Sequence, residues 1–213
     1  MTIFEWQGQH LVLHGTGAAY WKEAQTLFLA DLHFGKAMHF RKRGIAVPPA
    51  VADANWDRLA MVLLEFKPQR VLFLGDLFHS SYNSEWEGFK ALCTGFAPMH
   101  FELVRGNHDV LGDTPYRELG LQVHDKPLIV GPFYLSHEPL DHIPEGLYGL
   151  AGHIHPGVVL RGRGRQSLRL PCFYFGPRQA ILPAFGVFTG LAIIEPEAGS
   201  QVFVLAENQV IPV

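Results

Sequence analysis

The sequence predicts an α/β protein of two packed sheets with helices outside them. Three observations carry that prediction. Helical periodicity is confined to the first half, where Ala52, Trp56, Leu59, Leu63 and Phe66 share one face, as do Phe89, Leu92, Cys93 and Phe96. Each of these segments runs almost at once into a short apolar stretch, Arg70–Leu74 or His100–Val104, as a βαβ-like unit requires. From Leu121 onward the texture changes to short strands punctuated by Gly and Pro.

Taken in order, the first 30 residues read as strands at His10–His14 and Ala18–Trp21 and a run closing on Asp31, with a turn at Gly15–Gly17. Gly35–Gly44 is a basic stretch closed by Pro48-Pro49, and its residue types admit either a solvated face or a substrate contact. Pro49 opens the first long helix and Lys67-Pro68 ends it. Ser84 and Glu87 form a capping box for the second helix, and Pro115–Leu119 allows a short third one. Later strands are expected at Leu128–Val130, at the runs ending on His137 and His153, and at Val158–Arg161, Ser167–Phe175, Gln179–Leu182, Leu191–Ile194 and Gln201–Leu205.

At 213 residues, without a linker-like tract or internal repeat, the chain reads as a single domain, residues 1–213. Hydrophobic content of 48% with 17% charged residues describes a globular chain. A net charge of -3 gives no bulk attraction to nucleic acid, while leaving room for a local basic patch. The amino terminus lacks the pattern of a secretory leader, and no apolar run approaches the roughly 18 residues a membrane span needs. A cytoplasmic protein with no membrane partner is expected. Cys93 and Cys172 are far apart and form no CxxC pair, so they read as small buried hydrophobes.

The unusual number is 12 histidines, because half of them fall at the ends of apolar runs. Five such runs close on metal-ligand residue types: Asp31-Leu32-His33, Gly75-Asp76 with His79, Gly106-Asn107-His108-Asp109, His137, and Gly152-His153-Ile154-His155. In open α/β sheets ligands collect at the carboxyl ends of strands, where loops bring together residues distant in sequence. Asp31, His33, Asp76, Asn107, His137, His153 and His155 supply two carboxylates, one amide and four imidazoles. That is too many for one tetrahedral zinc and suits two five- or six-coordinate ions. A shared carboxylate would hold such ions about 3.5–4 Å apart, where they can clamp both oxygens of a phosphoryl displacement. Mixed nitrogen and oxygen ligation favours Mn, Fe or Zn.

In their order these motifs resemble the calcineurin-like metallophosphoesterase superfamily, over Asp31 to His155. The resemblance implies a four-layer α/β/β/α sandwich of two mixed sheets with a two-metal site. It would place Asp31, His33, Asp76 and His155 on one metal and Asp76, Asn107, His137 and His153 on the other, with Asp76 bridging. A metal-bridged hydroxide would attack phosphorus while His108 acts as general acid, a role open to an imidazole because its ordinary pKa is about 6.5. Protein phosphatases of the superfamily carry Asp-Arg where this chain has His79-Ser80, which removes an arginine that grips phosphate. Gly75 to Ser81 is instead similar to the corresponding segment of DNA double-strand-break repair nucleases, where the histidine assists phosphodiester cleavage.

A narrower resemblance spans nearly the whole chain. Ala30-Asp31-Leu32-His33-Phe34-Gly35-Lys36, Gly44 to Pro48, Leu170 to Arg178 and Leu182 to Gly186 resemble the bacterial ligase-associated DNA-repair phosphoesterases. That family implies a DNA endonuclease or end-processing enzyme acting beside a DNA ligase and a helicase. Between Gly157 and Ile194 there are five arginines and no acid, so Arg161, Arg163 and Arg165, with Arg105, are candidate phosphate contacts, although a basic hairpin turn is equally open. Phe173, Tyr174, Phe175, Phe185 and Phe188 read as sheet core, with stacking on single-stranded bases as the other reading. The expected function is therefore a two-metal phosphodiesterase acting on DNA, with Mn as the foremost metal and His108 and His79 as catalytic residues. The alternatives are a phosphomonoesterase or small-nucleotide phosphodiesterase, and a non-catalytic metal-binding scaffold.

Overall fold

A computed structural model describes residues 2–42, 44, 46–48, 50–79, 85–162, 164 and 166–213. Pro49, Ser80, Ser84, Arg163 and Arg165, to which the sequence reading assigned roles, lie outside the described residues.

The first sheet opens as an antiparallel meander: β1 (Thr2–Trp6), β2 (Gln9–Leu13), β3 (Ala19–Trp21) and β4 (Thr26–Leu29). Burial alternates along β2 and β3, and all four residues of β4 are buried, because that strand is covered on both faces. From β4 the strands run parallel, which obliges each connection to cross over. Helices supply the crossovers: α1 (Lys36–Lys42) and α2 (Ala50–Phe66) lead to β5 (Arg70–Leu74), α3 (Glu85–Gly95) to β6 (His100–Val104), and α4 (Asp113–Glu118) to β7 (Leu121–His124). The register pairs Leu29 with Phe73 and Leu74 with Val104, so the carboxyl ends of β4, β5 and β6 stand side by side.

The second sheet contains β8 (Leu128–Val130), β9 (Phe133–Leu135), β10 (Tyr148–Ala151), β11 (Pro156–Arg161), β12 (Ser167–Phe175), β13 (Gln179–Ile181), β14 (Ala192–Ile193), β15 (Gln201–Ala206) and β16 (Gln209–Pro212). Its order is β14-β11-β12-β13-β10-β9-β8, with β15 pairing β12 and β16. Parallel pairing of β9 with β10 sets Leu135 beside Leu150, and the segments after them, which carry His137 and His153, emerge together.

The sheets pack face to face through Phe28, Leu72, Leu74 and Val104 on one side and Phe133, Leu135, Leu150 and Phe175 on the other. Phe4 stacks on Phe175 with ring centroids 3.7 Å apart. On the outer face of the first sheet Leu59, Val62 and Leu63 of α2 and Trp86 and Phe89 of α3 bury Leu27, Leu29, Val71, Phe73 and Leu103. Each such residue contributes about 1.5–3 kcal/mol, so the central parallel strands are the most firmly anchored part of the molecule. On the second sheet Cys172 and Tyr174 alternate with the inward Phe173 and Phe175 and join Val158, Val202 and Val204 in a smaller outer group. This is the sandwich of two mixed sheets that the resemblance implies, with its helices concentrated on the first sheet. Among the described residues no helix is long and apolar enough to cross a membrane.

Four elements differ from the sequence reading. The basic stretch after Gly35 forms α1, and β1, β7 and β16 are strands that went unread. In β1 only Phe4 is buried, and in β16 only Val210, so neither edge strand carries a strong apolar alternation.

Candidate metal centre

Loops leaving β4, β5 and β6 are zipped together by their backbones. Asp31 N–H donates to Gly75 O (3.2 Å), His33 N–H to Asp76 O (2.8 Å) and His79 N–H to Phe34 O (2.9 Å). His108 N–H donates to Asp76 Oδ1 (2.9 Å), tying the third loop to the second. Gly152 N–H donates to His137 O (2.9 Å), and His153 N–H reaches across the sandwich to Asp31 Oδ2 (2.8 Å). Close approach requires glycine at two corners: a Cβ on Gly75 would collide with the His137 ring, and one on Gly106 with Asp76.

Backbone strain is concentrated here. Asp31, His33, Asp76, His153 and His155 all adopt left-handed backbone, with φ of 55°, 52°, 51°, 67° and 53°. A non-glycine residue in that region costs of order 1–3 kcal/mol and persists where the surroundings impose it, characteristically at functional sites.

The result is two adjoining sets of ligand-type side chains, Asp31/His33/His155 and Asp76/His137/His153, each with its ligand atoms within 4.8 Å of one another. His33 Nε2 lies 3.4 Å from His155 Nε2, which lies 3.5 Å from Asp31 Oδ1. In the second set His137 donates from Nδ1 to Leu74 O (3.0 Å), which leaves its Nε2 as a lone pair. That lone pair sits 2.9 Å from Asn107 Oδ1 and 3.0 Å from His153 Nδ1. Asp76 faces both sets, with Oδ2 3.7 Å from His33 Nε2 and Oδ1 3.5 Å from His137 Nε2.

Two observations test whether these residues fit divalent ions. Asp31 Oδ1 is fully buried and has no hydrogen-bond partner among the described residues, a costly state for a carboxylate unless a cation faces it. His33 is held neutral, its pKa driven down to about 2 by burial, with Lys36, His155, His79 and His108 adding repulsion, so its lone pair stays available. Crowded acceptors of this kind repel one another, and a shared cation reverses that sign. Both sets fit.

Beside them the His108 and His79 rings lie with centroids 4.5 Å apart, tilted by 31°, each about one ring from His33 (5.4 and 5.3 Å), and His39 of α1 meets His79 edge-on at 5.4 Å. Asp109 turns away from this face. It is buried and accepts from Phe78 N–H (3.2 Å), Gly106 N–H (2.9 Å) and Tyr116 Oη (3.4 Å), and burial raises its pKa to about 6 despite those backbone bonds.

The remaining expected contacts fare differently. Arg105 is engaged internally: Nε and Nη2 bind Asp125 and Asp113 (both 2.6 Å), and Nη1 binds the carbonyls of Asp109 and Leu111. It braces the loop that carries Asn107 and His108 instead of presenting its guanidinium to a substrate. Arg161 is exposed at the far end of β11, roughly 17 Å of strand from Pro156 and the centre. Phe173, Phe175 and Phe185 are core, as expected, and Tyr174 is buried in the outer group, whereas Phe188 is only half-buried and lines a cleft with His33 and Lys36. One residue near the centre that went unread is Asn55 of α2, whose side chain donates to Leu32 O (3.2 Å) and accepts from Val187 N–H (2.9 Å). Its position four residues before Leu59 put a polar group on an apolar helix face, which was a legible signal.

Strand-end carboxylates and imidazoles gathered into two sets on a two-sheet sandwich define a metal-dependent phosphoesterase, a hydrolase. The chain belongs to the calcineurin-like phosphoesterase family, which residues 24–173 match. Among solved structures it is similar to the Pseudomonas putida nuclease MPE, with 33% identity, a TM-score of 0.83 and coverage of 100% of this chain and 99% of that one. A second similar structure is Yfce, a phosphoesterase from E. coli, with 15% identity, a TM-score of 0.45 and coverage of 88% and 97%. No curated protein matches the chain.

Proposed function

We propose that this chain is a two-metal phosphodiesterase that cleaves DNA, as an endonuclease or end-processing enzyme in DNA repair, with residues 1–213 acting as one domain. The observation that carries the reading is the pair of ligand sets with Asp76 facing both and His108 beside them. Similarity over nearly the full length of both chains to a protein described as a nuclease supports a nucleic acid as substrate, and the narrower sequence resemblance favours DNA. Asp31, His33, Asp76 and His155 would hold one ion, and Asp76, Asn107, His137 and His153 the other, with Mn foremost and Fe or Zn as alternatives. Divalent ions bound there would supply Lewis acidity and lower the pKa of water.

The chain's own groups take the other parts. His108, fixed through its backbone to Asp76, donates a ring proton to the departing oxygen. His79, between His39 and His108, contacts the phosphate from the same side. Two unpaired cysteines suit a reducing cytoplasm. The products would pass to a DNA ligase, with a helicase exposing the ends.

The test is a turnover panel with Mn: a phosphate monoester, a cyclic nucleotide, bis-nitrophenyl phosphate, and nicked or flapped DNA. Cleavage of the diester and of DNA is expected, with the DNA activity lost in His108→Ala while bound metal is unchanged. Far faster turnover of the monoester or the cyclic nucleotide would replace the DNA reading with a small-substrate one.

A further inference from the structure

Lys36 opens α1 three residues after His33, and its backbone N–H donates to His33 O across 3.1 Å. With His33, Asn55, Glu85 and Phe188 it lines one cleft at the rim of the first ligand set. Its side chain is half-buried; burial lowers the pKa of its ammonium below the usual lysine range, and Asp76 and Asp31 pull it the other way. Even so, among the described residues the ion pairs those two carboxylates make within 4.0 Å are all with histidines: His33, His137 and His155. Lys36 therefore stands close enough to feel the centre without being neutralised by it. Cations held by Asp31 and Asp76 would take up the negative charge that now favours the ammonium. The group that then completes its environment is an anion lying over the metal centre.

We propose that Lys36 is a phosphate-binding residue, its ammonium donating to a non-bridging oxygen of the phosphodiester held at the metal centre. A lysine suits this as a compact point charge with freely rotating donors. Lys36 enters from the first turn of α1, on the His33 side, and would supply a cation to that oxygen. This assignment rests on the phosphodiesterase reading above and adds to it the residue that recognises the phosphate.

The experiment measures inorganic phosphate binding to Mn-loaded protein by calorimetry, with metal per chain counted on the same samples. In Lys36→Met the dissociation constant is expected to rise about tenfold or more with metal content unchanged, as loss of a charge-assisted hydrogen bond implies. Lys36→Arg is expected to stay within about threefold of wild type, and kcat/KM on bis-nitrophenyl phosphate to follow the same order. Unchanged phosphate affinity in a metal-replete Lys36→Met protein overturns the proposal. Loss of metal in that variant also overturns it, because Lys36 would then be supporting the ligand loop. If Lys36→Met does not fold, Lys36→Gln, which keeps polarity without charge, is read by the same criteria. Wild-type protein that binds phosphate yet cleaves no diester would sink the phosphodiesterase reading while leaving the Lys36 comparison readable.

Discussion

The backbone N–H of His153 donates to Asp31 Oδ2 across 2.8 Å, and that bond joins a loop of the second sheet to a loop of the first. Asp31 thus serves the fold with one oxygen and offers the other to the ligand set. Replacement by Asn keeps an acceptor for His153 and removes the charge. Asp31→Asn is expected to weaken Mn binding by roughly 100-fold or more with little loss of stability in the metal-free protein. Asp31→Ala should in addition destabilise the protein by about 1–2 kcal/mol. Metal analysis after dialysis and urea unfolding separate the two effects.

Glu102 of β6 receives two hydrogen bonds from Arg70 (2.6 and 2.7 Å) and pairs with His124 Nε2 (2.8 Å). Burial alone would raise its pKa, but these partners outweigh it and hold the carboxyl below its usual value of 4.5. A depressed carboxylate stabilises the fold at pH above that value, and the contribution is lost as pH falls through the lower folded pKa. Glu102→Gln is therefore expected to cost about 1–3 kcal/mol at pH 7, with the gap to wild type closing below about pH 4. Equal gaps in denaturant unfolding at pH 7 and pH 3.5 would contradict this.

Arg105 offers a test of a brace against a substrate contact. Its bonds to Asp113, Asp125 and two carbonyls predict that Arg105→Met loses about 1–2 kcal/mol, the exposed Asp125 pair being screened. That corresponds to a Tm lower by roughly 2–8 °C. KM for a small diester should stay within about twofold. A raised KM with unchanged Tm would restore the guanidinium to the substrate.

A general acid matters in proportion to how badly the leaving oxygen needs a proton. His108→Asn is expected to slow hydrolysis of an alkyl or DNA diester by about 10²–10⁴-fold, and that of a nitrophenyl diester much less. Equal losses on both substrates would assign His108 to charge stabilisation.

The candidate ligand residues could be picked out because each lies where an apolar run stops, and parallel strands in register must bring such ends together. What could not be read is what happens between segments remote in sequence. Arg105 looked like a free cation because nothing local reveals that Asp113 and Asp125 converge on it. The left-handed turns at Asp31, His33 and Asp76 break the usual preference for glycine, since the zipped loops override local propensity. The segment after Gly35 read as a basic stretch, because charge dominated the apolar spacing of Ala37, Met38 and Phe40 that makes it a helix. Phe188 meets Phe40 at 5.5 Å only once the last third of the chain has folded back over the first.

Each ligand set takes members from both sheets: Asp31 and His33 from one with His155 from the other, and Asp76 from one with His137 and His153 from the other. An ion seated in either set would fasten the two halves of the sandwich like a clasp, adding about 2.7 kcal/mol at a hundredfold excess over its dissociation constant. Metal supply would then govern how long the molecule survives as well as how fast it turns over. In a metal-starved cell the unclasped protein would open first at this seam and pass to proteases, so idle enzyme would be cleared without a dedicated regulator. Chelated protein is expected to be cut by a nonspecific protease well before the Mn-loaded form, with early cleavage near the 152–155 loop.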